Sequence, residues 1–182
     1  MQITETIYLK NRDEWRQWLM EHHATVKEIW LIYYNNASGK QRIPYLHAVE
    51  EALCFGWIDG VQMKMDAERT IQRFTPRRPK SNWSALNKER ARRLIENGKM
   101  TEAGLKVLPD LSLDSFIIAE DILKLLQEDP QTWENFCGFP ADYQRIRVGY
   151  IEESRKLPDE FQKRLTNFLK KTSENKMYGI IE

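Results

Sequence analysis

The stretch PYLHAVEEALCFG (residues 44–56), followed by WIDGVQMKM (57–65), DAER (66–69) and TIQRFT (70–75), decides how this chain folds. Pro44 suits the start of a helix, where its missing N–H is not needed. Gly56 suits the end, where the chain turns through the left-handed region that glycine tolerates. On a helical wheel over Pro44–Phe55, Tyr45, Leu46, Val49, Ala52 and Leu53 share one side, and His47, Glu50, Glu51 and Cys54 share the other. Two strand-like runs then flank a polar four-residue turn, which predicts an antiparallel hairpin of Trp57–Met65 and Thr70–Thr75. The period of two places Trp57, Asp59, Val61 and Met63 on one face. Pairing Met65 with Thr70 sets Asp59 opposite Pro76, beside Arg77. A carboxylate among large apolar side chains is costly unless paired, so the reading expects a buried Asp59 held bidentately by Arg77 or Arg78.

Upstream, Thr4–Leu9 has the content of a short strand, and Asn11 with Glu14 resembles a capping box opening a helix through His23. Trp15, Trp18 and Leu19 recur there at helical spacing and read as core. Glu28–Tyr34 is too continuously apolar for an exposed strand and reads as a central one, followed by a loop over residues 35–42. Downstream, Ser84 caps a strongly basic helix ending at Gly98, and a short helical turn covers Thr101–Leu108. Pro109–Ser115 reads as a linker. Beyond it the pattern is helical only, over Ile122–Gln127, Gln131–Cys137, Asp142–Arg155 and Asp159–Thr172, broken by Pro130, Pro140 and Pro158. The expected architecture is α+β. A small mixed or antiparallel sheet with flanking helices occupies residues 1–108, and an all-helical C-terminal region, residues 109–182, packs on it.

Six Trp and seven Phe in 182 residues, with 41% hydrophobic and 30% charged content, describe a folded chain with a charged surface. Lys and Arg number 28 against 27 Asp and Glu, so no long-range field draws in nucleic acid or an anionic membrane, and any such attraction is local. No signal-peptide pattern opens the sequence and no run reaches membrane-spanning length, which makes the cytoplasm the expected compartment. Cys54 and Cys137 both sit in apolar settings and read as reduced, buried thiols.

The chemically loaded segment is Arg69–Arg93, with nine Lys or Arg against the single acid Glu89. Lys88, Arg92 and Arg93 lie on the wheel side away from Leu94 and read as solvated. Asn87 and Arg90 lie with Trp83, Ala91 and Leu94, facing the core or a cleft, where polar groups need partners. In the loop Phe74–Ser84, Pro76 and Pro79 stiffen the backbone, Arg77 and Arg78 offer planar forks, and Ser81 and Ser84 precede helical amides that favour anions. The candidate anion-binding set is therefore Asp59, Arg77, Arg78, Ser81, Trp83, Ser84, Asn87 and Arg90. His47 and Glu51 have the spacing of two metal ligands, with Cys54 a turn on, but nothing completes a site, and neither metal nor cofactor is expected. Cys54 lacks a nearby base for nucleophilic work, and there is no GxGxxG, P-loop or GxSxG, so no catalytic set is assigned.

The runs Tyr45–Gly60 and Phe74–Ser84 with Asn87 resemble the YdeI/OmpD-associated family, also called the bacteriocin-protection family. Residues 15–19, Ile29–Leu31 and Gly98–Gly104 fit the same pattern. The helical tail fits more loosely, with Glu160-Phe161 where a Thr-Arg element is expected and Lys163-Arg164-Leu165 retained. The resemblance implies no catalytic residues. It implies a connection, for some members, with protection against antimicrobial peptides or with an outer-membrane porin. The leading expectation is a module that binds a small anionic ligand between the Asp59 strand and the Arg77–Asn87 loop and helix. The alternatives are a nucleic-acid binder using helix 84–97 with Trp83 and Phe74 for stacking, or a stress-related protein-interaction module with an unknown partner.

Overall fold

A computed structural model describes residues 3–78 and 80–179 of the chain. It divides into two compact units, one of residues 1–82 with 90–109, the other of 83–89 with 110–182.

The first unit is built on a four-stranded mixed sheet ordered β1-β2-β4-β3, with β1 Thr6–Ile7, β2 Ile29–Tyr34, β3 Trp57–Lys64 and β4 Arg69–Pro76. β1 runs parallel to β2, and the other pairs are antiparallel. β2 lies inside the sheet, as its unbroken apolar run requires, and Ile29, Trp30 and Leu31 are fully buried. Helix α1, Arg12–His22, starts where Asn11 accepts the Glu14 amide, and it buries Trp15 and Leu19. Helix α2, Tyr45–Cys54, follows Pro44 and ends at Gly56 with φ +74°.

The wheel misplaced part of α2. Glu51 and Cys54 are buried, while Tyr45 is exposed and Leu46 half-buried. The cause is α1, whose Arg12 and Arg16 both pair with the Glu51 carboxylate, so the helix is covered on its polar side as well. Burial pushes the Cys54 thiol up to about 11 and keeps it protonated.

The hairpin forms, but its register differs from the expected one. Lys64 pairs with Thr70, a bulge intervenes between Asp59 and Gln62, and Asp59 stands opposite Phe74 instead of Pro76. The extra residue moves the strand after it to the other face, as a one-residue slip must. Trp57 stays buried on the α1 side, where its ring meets Trp18, while Met63 packs with Trp30, Ile32 and Ile71 on the opposite face. The buried Gln72 amide donates to the Gly60 carbonyl at 2.7 Å and fastens the bulge.

Helix α3, Ala85–Glu96, crosses the division between the units: its residues from Arg90 group with the sheet, together with the short α4, Glu102–Leu105. The Thr101 hydroxyl donates to the Cys54 carbonyl at 2.6 Å and caps α4, so α4 lies against the end of α2.

The second unit holds the start of α3 and four helices: α5 Glu120–Gln127, α6 Pro130–Gly138, α7 Ala141–Glu152 and α8 Pro158–Ser173. Pro130 and Pro158 open their helices, where proline is tolerated. Ile122, Leu126, Phe136, Tyr143, Ile151 and Phe168 form its core. The Arg147 guanidinium is buried against the rings of Tyr143, Tyr150 and Tyr178, at 5.8, 5.4 and 5.3 Å. Cys137 is exposed, contrary to its apolar flanks, because α6 turns Thr132 and Phe136 inward and leaves Cys137 on the outer side. No helix among the described residues is long and apolar enough to cross a membrane.

Gly56 combines a left-handed backbone with a close neighbour, since a Cβ there would stand 2.9 Å from the Ala103 carbonyl oxygen. Gly39 has a similar φ of +66° with nothing within 4 Å. Chemical denaturation should therefore show Gly56→Ala losing about 2 kcal/mol or more, and Gly39→Ala only the conformational part, about 1–2 kcal/mol. Equal losses would mean that the α2–α4 approach adds nothing.

Candidate anion-binding site

Asp59 sits just before the bulge and is half-buried. Its carboxylate accepts a short hydrogen bond from the Tyr45 hydroxyl, and its link to Arg77 is electrostatic. The expected bidentate pair is thus replaced by a tyrosine. The register shift contributes, because it sets Asp59 opposite Phe74 instead of Pro76 and so farther along the strand from Arg77. Tyr33, at the end of β2, lies within the influence of Tyr45, Asp59 and Arg42. Its hydroxyl is buried and has no hydrogen-bond partner among the described residues. Desolvation drives the acidities of Tyr33 and Tyr45 strongly down, so both stay protonated at neutral pH.

Arg77 follows β4 directly, and its amide donates to the Gly56 carbonyl at 2.8 Å, which ties the strand end to the α2 turn. The side chain is buried, only 7% exposed, with Nη1 3.5 Å from Ser81 Oγ and 3.4 Å from the Asn82 carbonyl oxygen. Burial draws the guanidinium down to about 10, partly offset by Asp59, so it remains a cation at neutral pH. Arg90 is also buried and acts electrostatically on Tyr45. Arg78 is exposed, Ser81 is half-buried, Lys80 takes a left-handed φ of +60°, and Pro79 lies outside the described residues.

Arg77 lines a cleft of about 630 Å³. Its apolar lining comes from Met20, Ala24, Phe55, Trp57, Ala103 and Val107, and its polar lining from His23, Arg77, Thr101, Glu102 and Lys106. Several of those polar groups are engaged within the protein. Trp57 Nε1 donates to the His23 carbonyl at 3.2 Å, the Thr101 hydroxyl to Cys54, and the His23 ring, through Nδ1, lies 2.9 Å from the Leu19 carbonyl. Glu102 and Lys106 are exposed.

Trp83, Ser84 and Asn87 belong to the helical unit and are half-buried. Ser84 Oγ accepts the Asn87 amide at 3.2 Å, as a cap should, and the Ala85 amide donates to Glu153 at 3.1 Å. An internal carboxylate therefore already stands at the α3 N-terminus. Glu89 is buried and paired bidentately with Arg145. Lys88, Arg92 and Arg93 are half-buried where the wheel expected them in solvent. Phe74 is fully buried against Trp15 and cannot stack on a nucleobase.

The sequence reading missed Tyr33 and Tyr45. Tyr33 carried a signal, since it continues the Ile29 and Leu31 face and so puts a hydroxyl into an apolar row. Among the described residues, no group of three or more His, Cys, Asp or Glu is placed to hold a metal.

An orphaned buried hydroxyl is costly, and replacing it with a ring of the same shape removes the cost. Tyr33→Phe should keep or raise the melting temperature, by up to about 1 kcal/mol of stability. A loss of more than about 1 kcal/mol would show that the hydroxyl holds a bound water or ligand.

Residues 7–107, more than half of the chain, match the model of a domain of unknown function (DUF8412), and residues 115–175 match the family described as Bacteriocin-protection, YdeI or OmpD-Associated. Neither a curated protein nor a solved structure matches. The second match falls on the helical tail, the part whose resemblance looked loosest, while the blocks around Gly56 and Arg77 fall within the first. The chain therefore belongs to the DUF8412 domain family, and its helical tail carries the signature of the bacteriocin-protection, YdeI or OmpD-associated family.

Proposed function

We propose that the chain binds a small organic anion in the Arg77 cleft, in a role connected with resistance to antimicrobial peptides or related stress. The observation that carries this reading is a guanidinium, 7% exposed, on the wall of a cleft of about 630 Å³. A guanidinium carries five N–H donors in a planar fork, so one on a cleft wall can add a charge-assisted contact to an anion beside those it makes within the protein. The volume lies within the range of small-molecule sites, and mostly apolar walls with a few polar groups are their usual make-up. The link to resistance comes from the name of the family that the tail matches. Compartment belongs to the proposal too: the expectation is cytoplasmic.

The nucleic-acid reading loses support on α3, because Arg90 is buried and Lys88, Arg92 and Arg93 are half-buried, which leaves no solvated basic stripe to follow a phosphate backbone.

Thermal-shift and calorimetric titrations with carboxylates, phosphate and nucleotides, beside DNA and RNA at several salt concentrations, test the proposal. Arg77→Gln should weaken binding of the best small anion by about tenfold or more, with Arg77→Lys in between because it keeps charge but loses the fork. Arg92→Gln with Arg93→Gln should leave binding within about threefold. Equal losses from both positions, or a steep salt-dependent preference for nucleic acid, would overturn it.

A further inference from the structure

The lining of the Arg77 cleft restricts what else the anion carries. A sugar phosphate or nucleotide brings several hydroxyls or ring nitrogens, each of which loses its water on entering a cleft and must find a partner there. Here the Thr101 hydroxyl is committed to the Cys54 carbonyl, and the Trp57 indole N–H to the His23 carbonyl. The wall around these groups is Met20, Phe55, Trp57, Ala103 and Val107, which offers an apolar ligand contact, while a hydroxylated one is left with the His23 ring and the exposed, water-competed Glu102 and Lys106. The charged groups fit a single anionic head. Arg77 is the buried one, whereas Glu102 and Lys106 are exposed and of opposite sign, so they offset one another in high dielectric. Phe55 and Trp57 are themselves almost wholly buried, 4% and 1% exposed, so they form a fixed floor that need not reorganise to receive a ligand.

We propose that the ligand is a hydrophobic monocarboxylate, an aryl- or alkyl-substituted acetic acid, with its carboxylate at Arg77 and its apolar body against Phe55, Trp57 and Val107. This rests on the anion-binding reading above and narrows it. Hydroxylated and multiply charged anions are disfavoured ligands of this cleft.

Calorimetric titration of the full chain with acetate, butyrate, hexanoate, phenylacetate, inorganic phosphate and glucose 6-phosphate tests the inference. Affinity should rise by roughly threefold to fourfold for each methylene that reaches the cleft, and phenylacetate should exceed glucose 6-phosphate by at least about tenfold. Ala103→Leu, which lodges a larger side chain in the cleft, should cut phenylacetate binding about tenfold and leave acetate unchanged. Met20→Gln, at an exposed position, gives the same comparison with a smaller effect should the first variant not fold. If all carboxylates and phosphates bind alike, and all depend on Arg77, the inference fails while the anion-binding reading stands. If no anion binds in an Arg77-dependent way, both fail.

Discussion

The turn at Gly56 is the constraint on which the sheet unit depends. Its left-handed backbone ends α2 and turns the chain directly into β3. Its carbonyl accepts the Arg77 amide, so the far end of the hairpin is fixed at the same point. The absence of a side chain lets the Ala103 carbonyl come close, and Gly104 does the same for the Cys54 carbonyl from the other side. Helix end, strand end and α4 therefore meet at two glycines, and the cleft is the space left beside that junction. Phe55, Gly56 and Trp57 line it in sequence order.

Buried charges in this chain are held in several ways. Glu51 is buried against Arg12 and Arg16, which join α1 to α2, and Glu89 is buried against Arg145 within the helical unit. Arg147 is covered by three aromatic faces. These are internal solutions to the cost of burying ions, and each consists of side chains closing on one another. Arg77 is also buried, with Nη1 against Ser81 and the Asn82 carbonyl, and it lines the cleft as well.

Much of the fold was legible because local signals and long-range needs agreed. The Asn11 cap, the Pro44 and Gly56 boundaries, the apolar run of β2 and the prolines of the tail each specify their element with little help from the rest of the chain. The hairpin existed in the sequence, but its register did not, because a bulge at Gly60 and Val61 is a single-residue event that leaves strand propensity unchanged. Its fastening comes from Gln72 across the sheet. That slip also hid the Tyr45–Asp59 contact and led to an Asp59–arginine pair being expected. The wheel failed on α2 because it assumes one buried face, and Arg12 and Arg16 cover that helix on its polar side as well. Of the candidate site residues, Asp59, Arg77, Ser81 and Arg90 come from the sheet unit, with Arg78 exposed at its edge, and Trp83, Ser84 and Asn87 group with the helices. The cleft itself was not legible, since His23, Phe55, Ala103 and Val107 are far apart in sequence and only the two-glycine junction brings them together.

The central claim is that an anion with an apolar body occupies the cleft with its charge at Arg77. The most direct measurement is a crystal of the full chain soaked in 4-bromophenylacetate and recorded at the bromine absorption edge. The account predicts one strong anomalous peak in the cleft against Phe55, Trp57 and Val107, with the carboxylate within hydrogen-bonding distance of the Arg77 guanidinium. Bromine found only at surface arginines and lysines such as Arg78 and Lys99, with an empty cleft, would contradict it.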